Sequence, residues 1–447
     1  MTAAPTPRPG PSEAAAAPAE PVAPTRAAAT PIYGPHVGGG VPHELYSDLR
    51  ARYGPLAPVS IADGVEAWLV IGWNELRQVA TNEADFSHDP RHWNLLREGR
   101  IPPDSPLMPF VGWRPAVLFA DGRQHRRIRA AVSDALKAID GHDLRRLVRE
   151  LAERLIAEFA GAGEADLVAQ FARMLPRQVI AALAGLDEDT GRRFTQAISA
   201  TALTNEASQQ ANAETARILA ALIADKRENP ADDVISALLQ HPAALSDEEV
   251  LHNLTVLFVA GNQATVAWIA TTLHVMLCDP AWRFSLTRGS VSLDNALGQV
   301  LWQQAPVQNF PARYATRDLE FGGQPVRAGD MIILGLAGAN ADPAVQPPDG
   351  QPVTGNRSWV SFGAGPHVCP AQDPAWLITR TAIDTLCHRL PDVELTMPEE
   401  ELPWIPSTWS KAPAALPVRF SAARPAAPAP PPAADRPSLP ATRRTAP

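Results

Sequence analysis

The sequence predicts a mainly α protein with a small β-rich lobe. Apolar residues recur at three- and four-residue intervals through long stretches, including 143–160, 165–185, 208–225 and 231–240. Strand-like runs are few and clustered, at 56–71, 313–335 and 404–420. The prolines add a third observation. Of 46 in 447 residues, 15 lie in 1–30 and 421–447, which sets both ends apart from the body of the chain.

In chain order, residues 1–30 are nearly all Ala, Pro, Thr and Glu, without apolar periodicity. Such a composition cannot bury enough apolar surface to offset chain entropy, so a disordered tail is expected. A basic start followed by an apolar stretch is also missing, which speaks against a secretory signal. The segment LAPVSIADGVEAWLVI (56–71) reads as a hairpin turning at Asp63-Gly64. The helical segments follow, with Asp143 and Asp232 as expected N-caps. Residues 254–277 are long and apolar enough to raise the question of a membrane span. Asn262, Gln263, Thr265 and His274 interrupt the run and no basic cluster flanks it, so a buried helix is expected instead. Gly322-Gly323 and Gly329 punctuate the second β patch. Residues 341–368 carry little periodicity, and a coiled stretch of that length inside a compact domain usually has a task. Residues 421–447 read as a second disordered tail, leaving 31–420 as one domain.

Composition narrows the function. A formal net charge of −9 argues against a nucleic-acid binder. Three cysteines exclude a disulfide scaffold and fit a reducing cytoplasm.

The most informative run is Ser361-Phe362-Gly363-Ala364-Gly365-Pro366-His367-Val368-Cys369-Pro370-Ala371, followed by helical-looking 374–390. Glycines let the backbone fold tightly and leave room for a bulky planar group. A cysteine just before a helix N-terminus has its thiolate stabilised by the helix dipole and free N–H groups. A zinc site of His367, Cys369, Cys387 and His388 fails on distance, because a helix over 374–388 puts Cys387 about 20 Å from Cys369. A nucleotide loop is only weakly signalled, because Gly363 and Gly365 lack a third glycine and no strand leads cleanly in. A plain buried cysteine after a turn stays open from this run alone.

FGAGPHVC resembles the haem-binding loop of the cytochrome P450 family, haem-thiolate monooxygenases whose pattern is Phe-Gly-x-Gly-x-His-x-Cys-x-Gly. The resemblance makes Cys369 the proximal iron ligand of haem b, with Phe362 and Gly363 in its loop. It implies that His125 and Arg129, in DGRQHRRIR (121–129), hold a haem propionate together with Arg313 and His367. Their four-residue spacing puts His125 and Arg129 on one helical face. Arginine suits the task because its fork binds carboxylate bidentately. The resemblance covers roughly 31–420.

Three departures stand out. The glycine two past the cysteine is Ala371, and Pro374 and Trp376 replace the family's Leu and Arg. The apolar helix resembles the family's oxygen-side helix, marked Ala-Gly-x-Asp/Glu-Thr-Thr/Ser, but reads Ala260-Gly261-Asn262-Gln263-Ala264-Thr265. Gln263 replaces the acid and Ala264 the first hydroxyl, while Thr265 remains. Glutamine holds a water but is not a useful proton donor near neutral pH. Gly261 is expected to kink the helix and make room for ligand. Finally, the family's Glu-x-x-Arg becomes Gln299 and Trp302. Arg357 is the expected meander arginine, with Gln299 accepting its hydrogen bond and Trp302 stacking on its guanidinium.

The resemblance implies a cytoplasmic monooxygenase that inserts one oxygen atom from dioxygen into a small apolar organic substrate. No flavin or nicotinamide segment is read, so electrons are expected from a ferredoxin–reductase pair docking over Arg126 and Arg127. The pocket is expected from 88–117, 200–215, Val307–Phe310 and Ile405–Trp409, with Trp93, Phe110, Trp113, Phe310 and Trp409 as candidates. The alternative is a haem protein that binds or senses a ligand, or works with peroxide; Gln263 and Ala264 favour it.

Overall fold

The computed structural model describes residues 29–200, 206–279, 292–346 and 355–422. Helices dominate, as expected: α1 (His43–Tyr53), α2 (Trp73–Thr81), α3 (Asn94–Arg97), α4 (Met108–Val111), α5 (Gly122–Lys137), α6 (Gly141–Phe159), α7 (Met174–Leu183), α8 (Glu188–Ala200), α9 (Glu206–Glu228), α10 (Val234–Gln240), α11 (Asp247–Cys278), α12 (Leu293–Gln303), α13 (Leu336–Asn340) and α14 (Gln372–Arg389). The strands are β1 (Thr30–Pro31), β2 (Leu56–Ala62), β3 (Val65–Val70), β4 (Phe86–Ser87), β5 (Glu164–Asp166), β6 (Phe310–Ala315), β7 (Leu319–Phe321), β8 (Gln324–Val326), β9 (Met331–Leu334), β10 (Glu394–Leu395) and β11 (Pro417–Arg419).

The β lobe is a six-stranded sheet in the order β1-β2-β3-β9-β6-β4. Its β2–β3 hairpin turns at Asp63-Gly64, and Gly64 takes a φ of +69° that a side chain would resist. Thr30 pairs in parallel with Val59, so the ordered chain begins before residue 31. The rest of the expected tails, 1–28 and 423–447, lies outside the described residues.

The main core is formed where α6, α7, α11, α12 and α14 meet, around Leu151, Ile156, Ile269, Leu273, Leu297 and Ile383. Helix α11 begins with a reciprocal capping box between Ser246 and Glu249. By length and composition it is apolar enough to cross a membrane, yet its Ile269, Ala270 and Leu273 are fully buried against other helices of this fold.

Several local expectations are corrected. Asp140, not Asp143, caps α6, accepting from the N–H groups of His142 and Asp143. Asp143 sits inside the first turn and pairs with Arg146 at 2.9 Å. Asp233, not Asp232, caps α10 by accepting from Ser236 N–H. Residues 165–185 are not one helix. Glu164–Asp166 pairs with β11, a five-residue π-helical segment covers Val168–Ala172, and only then does α7 begin. The Asp166 carboxylate accepts from both Leu416 and Val168 N–H groups, a long-range contact that local periodicity does not show. In 404–420 only β11 is a strand; Trp404↔Pro413 and Val307↔Ser410 are isolated bridges. Pro406 and Pro413 donate no N–H to a ladder, which limits pairing there.

Candidate functional site

The cysteine loop closes on itself through Gly363 N–H to Val360 O at 2.7 Å and Cys369 N–H to Phe362 O at 2.8 Å. Gly365 fixes its position. A Cβ there would lie 2.3 Å from Ala80 O, and φ is +69°, so only glycine lets the loop rest on the end of α2. Cys369 stands three residues before α14. Burial raises its thiol, against the opposing pull of the Ala371 N–H and the nearby Arg129 charge. Phe362 meets Trp268 of α11 edge-on at 5.7 Å, which anchors the loop to that helix.

His125, Arg313 and His367 converge, as the sequence leads one to expect. His125 and His367 stack with ring centroids 3.7 Å apart. His125 and Arg313 are each 2% exposed. Burial, then the Arg129 charge, lowers the His125 pKa to about 4. Burial also lowers His367, with His88 and Arg313 adding to the effect, and lowers Arg313 to about 10. Arg129 Nε donates to Ser133 Oγ at 3.0 Å, and its charge reaches Cys369.

Three residues here escaped the sequence reading. His88 stacks on His367 with centroids 3.3 Å apart. Asp121 accepts from Ser87 Oγ at 2.5 Å and contacts His88 Nδ1 at 2.8 Å. Glu83 approaches His367 Nε2 at 3.8 Å and His125 Nδ1 at 3.9 Å. An aspartate before a helix reads as a cap, but the Asp121 side chain makes no capping bond to α5 and turns to His88 instead. The short β4 that carries Ser87 gives no periodic signal.

Gly261, Asn262, Gln263, Ala264 and Thr265 lie on α11 about 5–10 Å before Trp268 at 1.5 Å per residue. Helix α11 is α-helical without interruption through Gly261, so the expected kink is not a break in the helix. A Cβ on Gly261 would meet nothing within 4 Å. Asn262 is buried with its Oδ1 unpartnered, Thr265 is buried, and Gln263 and Ala264 are half-buried.

Behind the loop, the expected Gln299–Arg357–Trp302 arrangement is replaced by another. Gln299 donates to Gln303 on its own helix at 3.3 Å. Trp302 donates from Nε1 to Asn356 O at 2.9 Å. The exposed Arg357 guanidinium lies over Trp376, 4.8 Å from the ring centroid. Trp359 stacks on Trp376 at 5.9 Å, and Trp268 meets Trp376 edge-on at 5.4 Å. Trp376 also donates to Asp294 at 2.8 Å. A Cβ at Gly298 would come within 3.2 Å of Trp359, so the small residue lets that ring lie on α12. Trp376 stands where the family resemblance expects arginine and supplies the face on which Arg357 rests.

Among the pocket candidates, Trp93 is wholly buried in the β lobe beside Tyr314. Phe110 stacks on Trp409 at 5.7 Å, joining two of the expected segments. Trp113 is 40% exposed under the Arg91 guanidinium. Residues 201–205 lie outside the described residues. On α5, Arg126 is exposed, whereas Arg127 is committed to Glu249 and to Ala243 O.

No family model matches the chain. Individual relatives do. The chain is 32% identical to a mycinamicin IV hydroxylase/epoxidase of Micromonospora griseorubida, over 83% of this chain and 95% of that protein. It is 30% identical to the cytochrome P450 monooxygenase PikC of Streptomyces venezuelae, over 86% of this chain and 92% of that one. Among solved structures, CYP154C4 from Streptomyces sp. W2061 superposes with a TM-score of 0.80 at 27% identity, covering 87% of this chain and 97% of that one.

Proposed function

This chain belongs to the cytochrome P450 family and is a monooxygenase; from that premise we propose that Cys369 ligates the iron of haem b and that His125, Arg129, Arg313 and His367 hold its propionates. The observation that carries the assignment is a set of buried, unpartnered nitrogen atoms beside the cysteine loop. Both ring nitrogens of His125, His367 Nε2 and Arg313 Nε have no hydrogen-bond partner. Buried polar atoms are nearly always satisfied, so such a concentration fits a site built for an anionic group. Two propionate carboxylates have that chemistry, and the Gly363 and Gly365 turns hold the loop clear for a planar ring.

When bound, thiolate-ligated haem supplies the activation of dioxygen that delivers one oxygen atom to the substrate. The chain's own contributions are distinct. Gly261 leaves open space on α11 for oxygen and substrate. Gln263 holds a water, and Thr265 is the hydroxyl left on this stretch; Ala264 supplies none. Proton delivery therefore rests on water and Thr265. The substrate is a small apolar organic molecule, with the Phe110–Trp409 stack as one apolar wall. Relatives named for mycinamicin IV and vitamin D(3) act on organic molecules. Electrons come from a ferredoxin-type partner, for which exposed Arg126 offers positive charge. The setting is cytoplasmic.

Reduced, carbon-monoxide-treated protein tests the reading. The wild type is expected to give the thiolate-type band, and Cys369→Ala to lose it while Cys387→Ala keeps it. An unchanged band in Cys369→Ala overturns the assignment. The second reading, a ligand-binding haem protein with weak or peroxide-driven activity, is favoured by Gln263 and Ala264. It predicts more product per oxidant with peroxide than with reductase-supplied electrons.

A further inference from the structure

Away from the cysteine loop, three metal-ligand side chains meet at the C-terminal end of α11. His274 and Cys278 are four residues apart on that helix, on successive turns of one face. Glu399 opens the short 3-10 turn Glu399–Glu401. One ligand atom from each residue lies within 4.8 Å of the other two. His274 is 7% exposed, and neither ring nitrogen has a hydrogen-bond partner. Its Nε2 is 3.1 Å from Glu399 Oε1, an ion-pair distance when the ring is protonated. Trp404 closes one side of the imidazole edge-on at 4.9 Å.

We propose that His274, Cys278 and Glu399 form a zinc site that joins the end of α11 to the Glu399 turn. The donor set decides the ion. Imidazole nitrogen and thiolate sulfur suit zinc and do not suit calcium or magnesium, which take oxygen ligands. Three protein ligands leave a fourth position for water, which the half-exposed Glu399 side chain keeps accessible. The negative end of the helix dipole adds to the attraction, and no basic side chain lies in the last turn of α11.

Without metal the Cys278 thiol is protonated, because burial and then Glu399 raise it to about 11. Zinc binding forms the Zn–S bond and releases that proton to solvent. Lys411 is the competitor. Its ammonium is drawn to Glu44 and Glu399 and opposes positive charge at His274. Zinc therefore binds against the nearby lysine charge. The result is a clasp between the oxygen-side helix and the chain that continues through Trp404 to the expected pocket wall at Ile405–Trp409.

The test uses full-length, haem-loaded protein with reduced thiols, zinc ion as the probe, and competition against a colorimetric zinc indicator. One zinc per chain is expected. Loss of a supporting group around a metal typically costs about 10–100-fold in affinity, so loss of a direct ligand in Cys278→Ser should cost about 100-fold or more. Glu399→Gln should weaken binding by at least about tenfold. Zinc should slow alkylation of Cys278 and leave Cys387 unaffected. Both variants sit away from the haem loop and should keep the wild-type carbon monoxide spectrum, which separates a failure here from a failure of the haem assignment. Absence of bound zinc, or Cys278→Ser binding within tenfold of wild type, overturns the proposal.

Discussion

Gln299, Trp302 and Arg357 stand where the family pattern has a glutamate and two arginines, and Trp302 and Arg357 differ widely in what they contribute to stability. Trp302 is 2% exposed and donates from Nε1 to Asn356 O at 2.9 Å. Truncating a buried aromatic to alanine costs about 3–5 kcal/mol, mostly from lost transfer energy and the cavity left behind. That is a large share of a typical total stability of about 5–15 kcal/mol. Trp302→Phe loses one hydrogen bond and leaves a smaller void than alanine does, for about 1–3 kcal/mol. Arg357 is exposed, and its contact with Trp376 is worth about 0.5–1 kcal/mol at such a site. Arg357→Ala should therefore be nearly silent. Urea unfolding of haem-loaded protein, followed by circular dichroism and by the haem band together, reads all three. If Arg357→Ala costs as much as Trp302→Ala, the arginine is buried and paired as in the family pattern, and the aromatic account of this region is refuted.

Two further predictions concern protons. In haem-free protein, burial lowers His88, His125 and His367, His125 to about 4. Their neighbours are Arg129, Arg126 and Arg313 on the positive side and Asp121 and Glu83 on the negative. The native state keeps these rings neutral while the unfolded chain protonates them near 6.5. Stability is then fully present above about 6.5 and is lost as pH falls toward about 4, with each extra proton on the unfolded chain costing about 1.4 kcal/mol per pH unit. His125→Gln should flatten that slope, and an unchanged profile would count against the buried, neutral histidine. On α11, Gln263→Glu with Ala264→Thr should raise the fraction of NADH consumption that ends in product, because proton-transfer groups typically contribute about 10²–10⁴-fold in rate. If the wild type is already tightly coupled and the double change is neutral or harmful, Thr265 and ordered water suffice.

Much of this was legible because it is written in local patterns. The Asp63-Gly64 turn, the apolar run of α11 and the loop around Cys369 each carry a signal within about twenty residues. His125, Arg313 and His367 were found because a motif ties distant segments together. His88, Glu83 and Asp121 have no such motif, and their meeting depends on how β4, α2 and α5 pack. The misplaced caps show a finer limit. With Asp140 and Asp143, or Asp232 and Asp233, close together, residue type says a cap is near but not which carboxylate reaches the free N–H groups. The break at Glu164–Asp166 comes from pairing with β11 across the chain.

Four of the departures from the family pattern, Gln263, Gln299, Trp302 and Trp376, remove a charge, but they differ in what replaces it. At Gln299 and Trp302 the loss is compensated. Trp302, Trp359, Trp376 and Trp268 form a continuous set of ring contacts that ties α12, the segment before the cysteine loop, α14 and α11 together. Desolvating an ion pair is costly, and well-packed neutral side chains of similar volume often serve as well or better. That region can keep its shape without its charges. Gln263 and Ala264 have no matching replacement. Beside them lie the open space at Gly261 and the unpartnered Oδ1 of buried Asn262, which accepts a hydrogen bond but cannot give up a proton. The substitutions behind the cysteine loop therefore preserve the scaffold, whereas under the proposed function those on α11 alter its chemistry, so the step to measure there is proton delivery.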